Sequence, residues 1–190
     1  MGGMCVRGHS GLHRPAALLV VVAGVLTACT STGSATTSPS VLTVLTCQDS
    51  AGQSSHADAG ARWVGGVGSP ALHGGFPGDI PRQRSKDGHL YLSWKDPVAV
   101  APTARPYRTI TVVSPPSARL LFAAPARWAT LSGTILPILS RSVRLSACGR
   151  EYASYFGAIM VRRWACVTLA VTGPAGKLGT VTVPIGVMQC

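Results

Sequence analysis

Hydrophobic and polar positions alternate most regularly in the last third of the chain. Over residues 165–172, Ala165, Val167, Leu169 and Val171 alternate with Cys166, Thr168, Ala170 and Thr172. Over 180–187, Val181, Val183, Ile185 and Val187 share one parity. A period of two marks a strand with one buried face. The stretch 173–179 supplies a turn, so the two runs predict a hairpin. Pro184 sits on the outward parity and has no N–H to give, which places its strand at a sheet edge. Further short strands are predicted at 41–46, 90–94, 109–113 and 119–123, and alternation continues over 142–148 with Val143, Leu145 and Ala147 facing a core. Prolines 97, 102, 106, 115, 116 and 125 punctuate them. The polar stretch 48–62 and the glycine- and proline-crowded 65–81 read as loops. No helix is predicted, because Pro125 interrupts the Ala- and Leu-containing stretch 118–131. Many short strands with frequent turn signals predict an all-β sandwich or barrel.

The amino terminus follows another pattern. A leader with Arg7, His9, His13 and Arg14 and no acid precedes an apolar run over 16–26. A spanning helix needs about 20 apolar residues, and polar residues follow from Thr30 on, so the run is read as the h-region of a secretory signal. Leu26-Thr27-Ala28-Cys29 resembles the lipobox of bacterial lipoproteins: aliphatic, small, small, cysteine. The resemblance covers about the first thirty residues. It implies cleavage before Cys29, lipidation of its thiol, and a protein held to the cell membrane on the extracytoplasmic side. The expected organisation is a signal peptide over 1–28, the lipidated Cys29 with a flexible Ser/Thr linker over 29–40, and one domain over 41–190. Linkers of this composition behave as flexible tethers.

Composition narrows the partners. The chain carries 17 Lys and Arg against 6 acids, a formal charge of +11. The basic residues are scattered and match no nucleic-acid-binding motif, so nucleic acid is not expected as a partner. An Arg-biased solvated surface is the plain reading. Attraction to anionic lipid, to a cell-wall polymer or to an envelope protein is the sharper one. About 160 residues suit one domain and are few for a two-lobed solute-binding protein.

Cysteine usage adds a constraint. With Cys5 lost with the signal and Cys29 lipidated, Cys47, Cys148, Cys166 and Cys190 remain. An even count in an exported chain predicts two disulfides, with three connectivities open. Strand parity favours one. Cys148 and Cys166 both fall on outward positions, so they would pair across the segment 149–165 and leave Cys47 to Cys190. An immunoglobulin-like β-sandwich fits the pattern. The run from Ala147-Cys148-Gly149 to Cys190, with Arg163-Trp164-Ala165-Cys166 within it, is similar to small bacterial lipoproteins of uncharacterised function; this resemblance implies no activity. The wide Cys…Trp…Cys spacing of antibody domains is missing.

Chemistry is sparse. His56, His73 and His89 lie in polar or glycine-rich stretches, and His56-x-Asp58 and Asp87-x-His89 would each offer two metal ligands; histidines there are more often solvated. There is no Gly-x-Ser-x-Gly elbow and acids are few, so no catalytic residue is assigned and no cofactor is expected. Gly66-Val-Gly-Ser-Pro-Ala71 matches Gly-x-Gly-x-x-Ala, but Pro70 and the lack of a following helix argue against a dinucleotide site. Three Arg–Trp pairs, 62–63, 127–128 and 163–164, read as core tryptophans beside surface arginines; the alternative is an interface patch. Tyr152, Tyr155 and Phe156 fall on the segment the Cys148–Cys166 bond would frame, and form the candidate contact loop. The expected function is a non-enzymatic binding or structural lipoprotein of the envelope. The alternative is a small-molecule or metal-binding lipoprotein using the His-bearing loops.

Overall fold

The computed structural model describes residues 42–75, 82–131, 135–137 and 139–190. The signal region, Cys29 and the linker lie outside the described residues. Twelve strands and one short helix are described. They are β1 (Leu42–Leu45), β2 (Gly52–Ser54), β3 (Arg62–Val64), β4 (Val67–Ser69), β5 (Gln83–Arg84), β6 (Leu90–Val100), β7 (Tyr107–Ser114), β8 (Arg119–Ala123), α1 (Pro125–Ala129), β9 (Ser142–Ser146), β10 (Tyr152–Val161), β11 (Ala165–Gly173) and β12 (Gly176–Ile185). The chain is mostly β, as its alternation predicts.

The first sheet runs β1-β9-β7-β11-β12. The predicted hairpin is β11–β12, antiparallel from Ala165 opposite Ile185 to Gly173 opposite Gly176 with a register shift between Val171 and Thr172, and its second strand begins at Gly176, inside the stretch expected as turn. Val167, Leu169 and Val171 are buried with Val181, Val183 and Ile185, the parity read from sequence. β12 is the last strand of the sheet, the position Pro184 demands. Its outer edge makes one isolated bridge, where Gly75 donates to the Pro184 carbonyl at 3.0 Å. Pro184 lacks a donor but not an acceptor.

The second sheet is built on β10 and β6, antiparallel over nine residue pairs from Ala153–Val100 to Val161–Leu92. β2 and β8 pair with β10, at Tyr152–Ser154 and at Phe156–Met160. On the free edge of β6, β4 pairs at Ala99 and Val100 and β5 at Leu90 and Tyr91. β3 lies outside β4.

One core contains residues of both sheets, including Val100, Tyr155 and Ile159 with Ile110, Val143, Val167 and Val183. A second, smaller core holds Tyr91, Leu121, Ala123, Leu131, Leu136, Leu139, Ala158 and Met160 with half-buried Trp128 packed against it. Strand parity explains the division. Ala153, Tyr155, Ile159 and Val161 of β10 join the first core, while Ala158 and Met160 join the second. The second sheet is therefore covered on both faces at one end. This is why 120–123 and 158–161 read as unbroken apolar runs and not as alternation. The outer cover includes α1. Pro125 begins this helix and does not interrupt one, because a first-turn proline loses no intrahelical bond; Trp128 N–H donates to the Ala124 carbonyl at 2.8 Å. Among the described residues no helix is long and apolar enough to cross a membrane.

Both disulfides form, but with the other connectivity: Cys47–Cys148 and Cys166–Cys190. The parity argument for Cys148 fails because β9 ends at Ser146. Beyond that point the chain turns inward, and Cys148 is 3% exposed within the shared core. β1 and β9 are parallel, Leu45 opposite Leu145, so both strands leave the sheet in the same direction and deliver Cys47 and Cys148 side by side. Asp49 fixes the exit of β1 by accepting the Thr46 N–H and hydroxyl, each at 2.8 Å. Cys166 does lie on the outward set of β11, opposite Pro184, and bonds Cys190 just beyond the end of β12.

Candidate functional site

The outer face of the second sheet divides into a covered and an open half. Its even-numbered β10 positions are Tyr152, Ser154, Phe156, Ala158 and Met160. The last two are sealed beneath the second core; the first three are half-buried. Directly opposed residues share a face, so the pairings extend the open half across the sheet. Pro97 lies opposite Phe156 and Ala99 opposite Ser154. Gly68 lies opposite Ala99, and Trp63 opposite Gly68.

Two aromatic pairs bound this open half. Trp63 meets Tyr152 edge-on, ring centroids 5.5 Å apart. Its indole lies flat because Gly68 has no side chain; a Cβ there would stand 2.5 Å from the ring. At the other end Trp128 leans out from α1 and stacks on Phe156, centroids 5.9 Å apart and planes 29° apart. Tyr152 and Phe156 are four residues apart on one strand, about 13 Å. Between the pairs lies Ser154, with Ala99 opposite it on β6 and Gly52 opposite it on β2. A groove of about 220 Å³ opens beside the Trp128–Phe156 stack, lined also by Lys95, Pro97 and Gly157. Lys95 and Pro97 are exposed.

The candidate contact residues thus separate. Tyr152 and Phe156 lie on the open face, on a strand and not on a disulfide-framed loop. Tyr155 has the opposite parity and is 0% exposed. Its hydroxyl donates to the Ser146 carbonyl at 2.7 Å and lies 3.4 Å from Cys148 Sγ. Burial, with the nearby Asp49 charge, pushes its pKa up to about 12. None of the three Arg–Trp pairs supplies a fully buried tryptophan, though Trp128 packs one side against the second core. Trp63 and Trp128 are half-buried on the common face, and Trp164 is 40% exposed elsewhere, packed over Gly186. Arg62 reaches away from its neighbour to the Leu72 carbonyl at 3.3 Å. Sequence reasoning missed the convergence of Trp63 with Tyr152 and of Trp128 with Phe156, and it missed Pro97 and Lys95. The available signal was the even parity of Tyr152, Ser154 and Phe156; which side of the sheet would stay open was not readable.

The other candidates offer less. His56 is exposed with Nδ1 2.8 Å from Ser55 Oγ, and His73 is exposed at the end of the turn Pro70–His73. His89 stands edge-on to Tyr91. Asp87 accepts the His89 N–H and the Tyr91 hydroxyl, both at 2.9 Å. Burial opposes its ionisation, but these bonds prevail and hold the carboxyl below its ordinary value. Among the described residues no group of three His, Cys, Asp or Glu side chains is placed to hold a metal. Within 66–71, Ser69 accepts the Ala71 N–H at 3.1 Å, and a three-residue strand leads into a single turn with no dinucleotide-type helix.

A cavity of about 30 Å³ lies between the sheets, lined by core residues including Val67, Leu72, Ile110 and Ile159. It is a packing gap with room for little more than a water. The outer face of the first sheet is open as well, and some of its hydroxyls pair with one another: Thr111 with Ser142 at 3.0 Å and Thr168 with Thr182 at 3.1 Å. There Arg144 lies 4.3 Å over the Tyr107 ring. The open half of the second sheet is the face that gathers Trp63, Tyr152, Trp128 and Phe156. Comparison with protein-family models, curated proteins and solved structures finds no match for the chain.

Proposed function

We propose that this chain is a lipid-anchored, extracytoplasmic binding module. Cys29 is its anchor and the open aromatic face of the second sheet is its contact surface. The observation that carries the reading is two aromatic pairs, one edge-on and one stacked, on one face beside a groove with an exposed lysine. Surface aromatics set around a groove are the anchors of recognition surfaces. The lipobox at 26–29 and two disulfides favour an exported, oxidising location. The layering of two sheets about one core favours an immunoglobulin-like sandwich, a scaffold that presents faces and loops and needs no catalytic centre. The His-bearing alternative draws no support from a turn in which Asp87 is already occupied by its own neighbours.

Two experiments test the proposal. Cys29→Ala is expected to move the protein from the membrane fraction to the soluble one; a variant that still sediments with membranes refutes the anchor. A photo-crosslinking residue replacing Pro97 is expected to capture an envelope component in living cells, while the same residue replacing Thr180 on the first sheet captures none. Equal capture from both positions refutes the assignment of the face.

A further inference from the structure

The chemistry of the aromatic face specifies more than contact. We infer that it binds an anionic polysaccharide, a sugar polymer bearing carboxylate or phosphate groups. The inference rests on the proposal that this face is the contact surface, and it names the class of ligand. Sugar rings present C–H faces that stack on aromatic rings and hydroxyls that hydrogen-bond to small polar side chains. The open half offers both: half-exposed Trp128, Phe156, Trp63 and Tyr152, with the Ser154 hydroxyl between them.

The shape fits an extended chain. Two aromatic stations stand about 13 Å apart along one strand, and the floor between them is Ser154 with Ala99 opposite it, both small, so a polymer can be laid from one to the other. A protein partner is less well served, because protein interfaces centre on packed anchors with a continuous apolar core, and here the centre is small and shallow. A bilayer is less well served again. Membrane-seeking surfaces push apolar side chains outward from one face of a helix, whereas Trp63, Tyr152 and Phe156 belong to strands.

Charge selects the anionic class. Among the described residues, Lys95 is the charged one lining the groove beside the Trp128–Phe156 stack. Cleavage before Cys29 would remove Arg7 and Arg14 and leave 15 Lys and Arg against 6 acids, a formal charge of +9, so an anionic polymer is drawn in from a distance as well as held locally.

The test uses the full chain in detergent micelles. Polygalacturonate is the anionic polymer, dextran the neutral one, and phosphatidylglycerol vesicles the lipid control. Binding is read by affinity electrophoresis and by tryptophan fluorescence. Polygalacturonate is expected to bind and dextran to bind more weakly. Phe156→Ala and Trp128→Ala are each expected to weaken polygalacturonate binding about tenfold or more, as truncation of an aromatic anchor does. Trp164→Ala, off the face, leaves it unchanged. Lys95→Gln is expected to abolish the preference for the charged polymer and to flatten its salt dependence. Because Trp128 also packs against the second core, Lys95→Gln and Phe156→Ala decide the matter if Trp128→Ala lowers the melting temperature.

Polygalacturonate binding that survives Phe156→Ala and Lys95→Gln overturns the inference, as does binding to the vesicles alone. The crosslink from position 97 separates the two levels. A protein adduct there overturns the polysaccharide class and leaves the contact face standing. Absence of both an adduct and polymer binding overturns both.

Discussion

Tyr155 shows how far one residue's role depends on its parity. By composition it belongs with Tyr152 and Phe156; by position on β10 it faces the other way, and its hydroxyl holds the end of β9 where the chain turns in to Cys148. Its raised pKa has a consequence for stability. The unfolded tyrosine ionises near 10 and the folded one near 12, so the unfolded state loses its proton first. This contribution is complete below pH 10 and is lost as pH rises from there through 12. At its limit it amounts to roughly 2–3 kcal/mol by linkage. Tyr155→Phe is expected to remove most of this alkaline sensitivity and to cost about 1–2 kcal/mol at neutral pH, because the Ser146 carbonyl loses its donor. Urea denaturation across pH 7–11.5 measures both; an unchanged alkaline loss in the variant would place its origin elsewhere.

Among the elements, the β11–β12 hairpin was the most legible and β10 the least. The hairpin has one buried face, so its sequence alternates and its register follows. Val183 is fully buried and Thr182 exposed on the opposite side. Val183→Ala is therefore expected to destabilise by about 2 kcal/mol through lost burial and the cavity left behind. Thr182→Ala should stay within about 0.5 kcal/mol, despite its bond to Thr168. Similar denaturation midpoints for the two would contradict the assigned parity. β10 offers no such pattern over 157–161 because both its faces are covered there. The same cover explains α1, too short to show a helical period of its own and held by packing Trp128 against the outer core. β6 was expected to end near Trp94 but continues to Val100. Pro97 is tolerated within it while its neighbours on both sides keep their pairings to β10.

At the scale of the whole molecule, the two disulfides divide the labour. Cys47–Cys148 closes a separation of 101 residues and Cys166–Cys190 one of 24. In the chain-entropy view these contribute about 4.7 and about 3.4 kcal/mol. The first also lies within the core, where Cys148 is excluded from solvent, while Cys190 is exposed. Mild reductant with a trapping reagent is therefore expected to label Cys166 and Cys190 first, with Cys47 and Cys148 reacting only as the fold is lost. Peptide mapping that finds all four labelled together would contradict this. The sequence by itself determined what is local: the β class, the terminal hairpin and its buried parity, the edge placement of Pro184, and four cysteines poised for two bonds. These follow from side-chain alternation and backbone chemistry, which act within a few residues. The tertiary structure alone decided which cysteines meet, because that depends on a parallel β1–β9 register linking positions a hundred residues apart. It also decided which sheet face is covered and which is left open. The aromatic site exists because the outer cover stops at Trp128, leaving Phe156, Tyr152 and Trp63 on the same uncovered face.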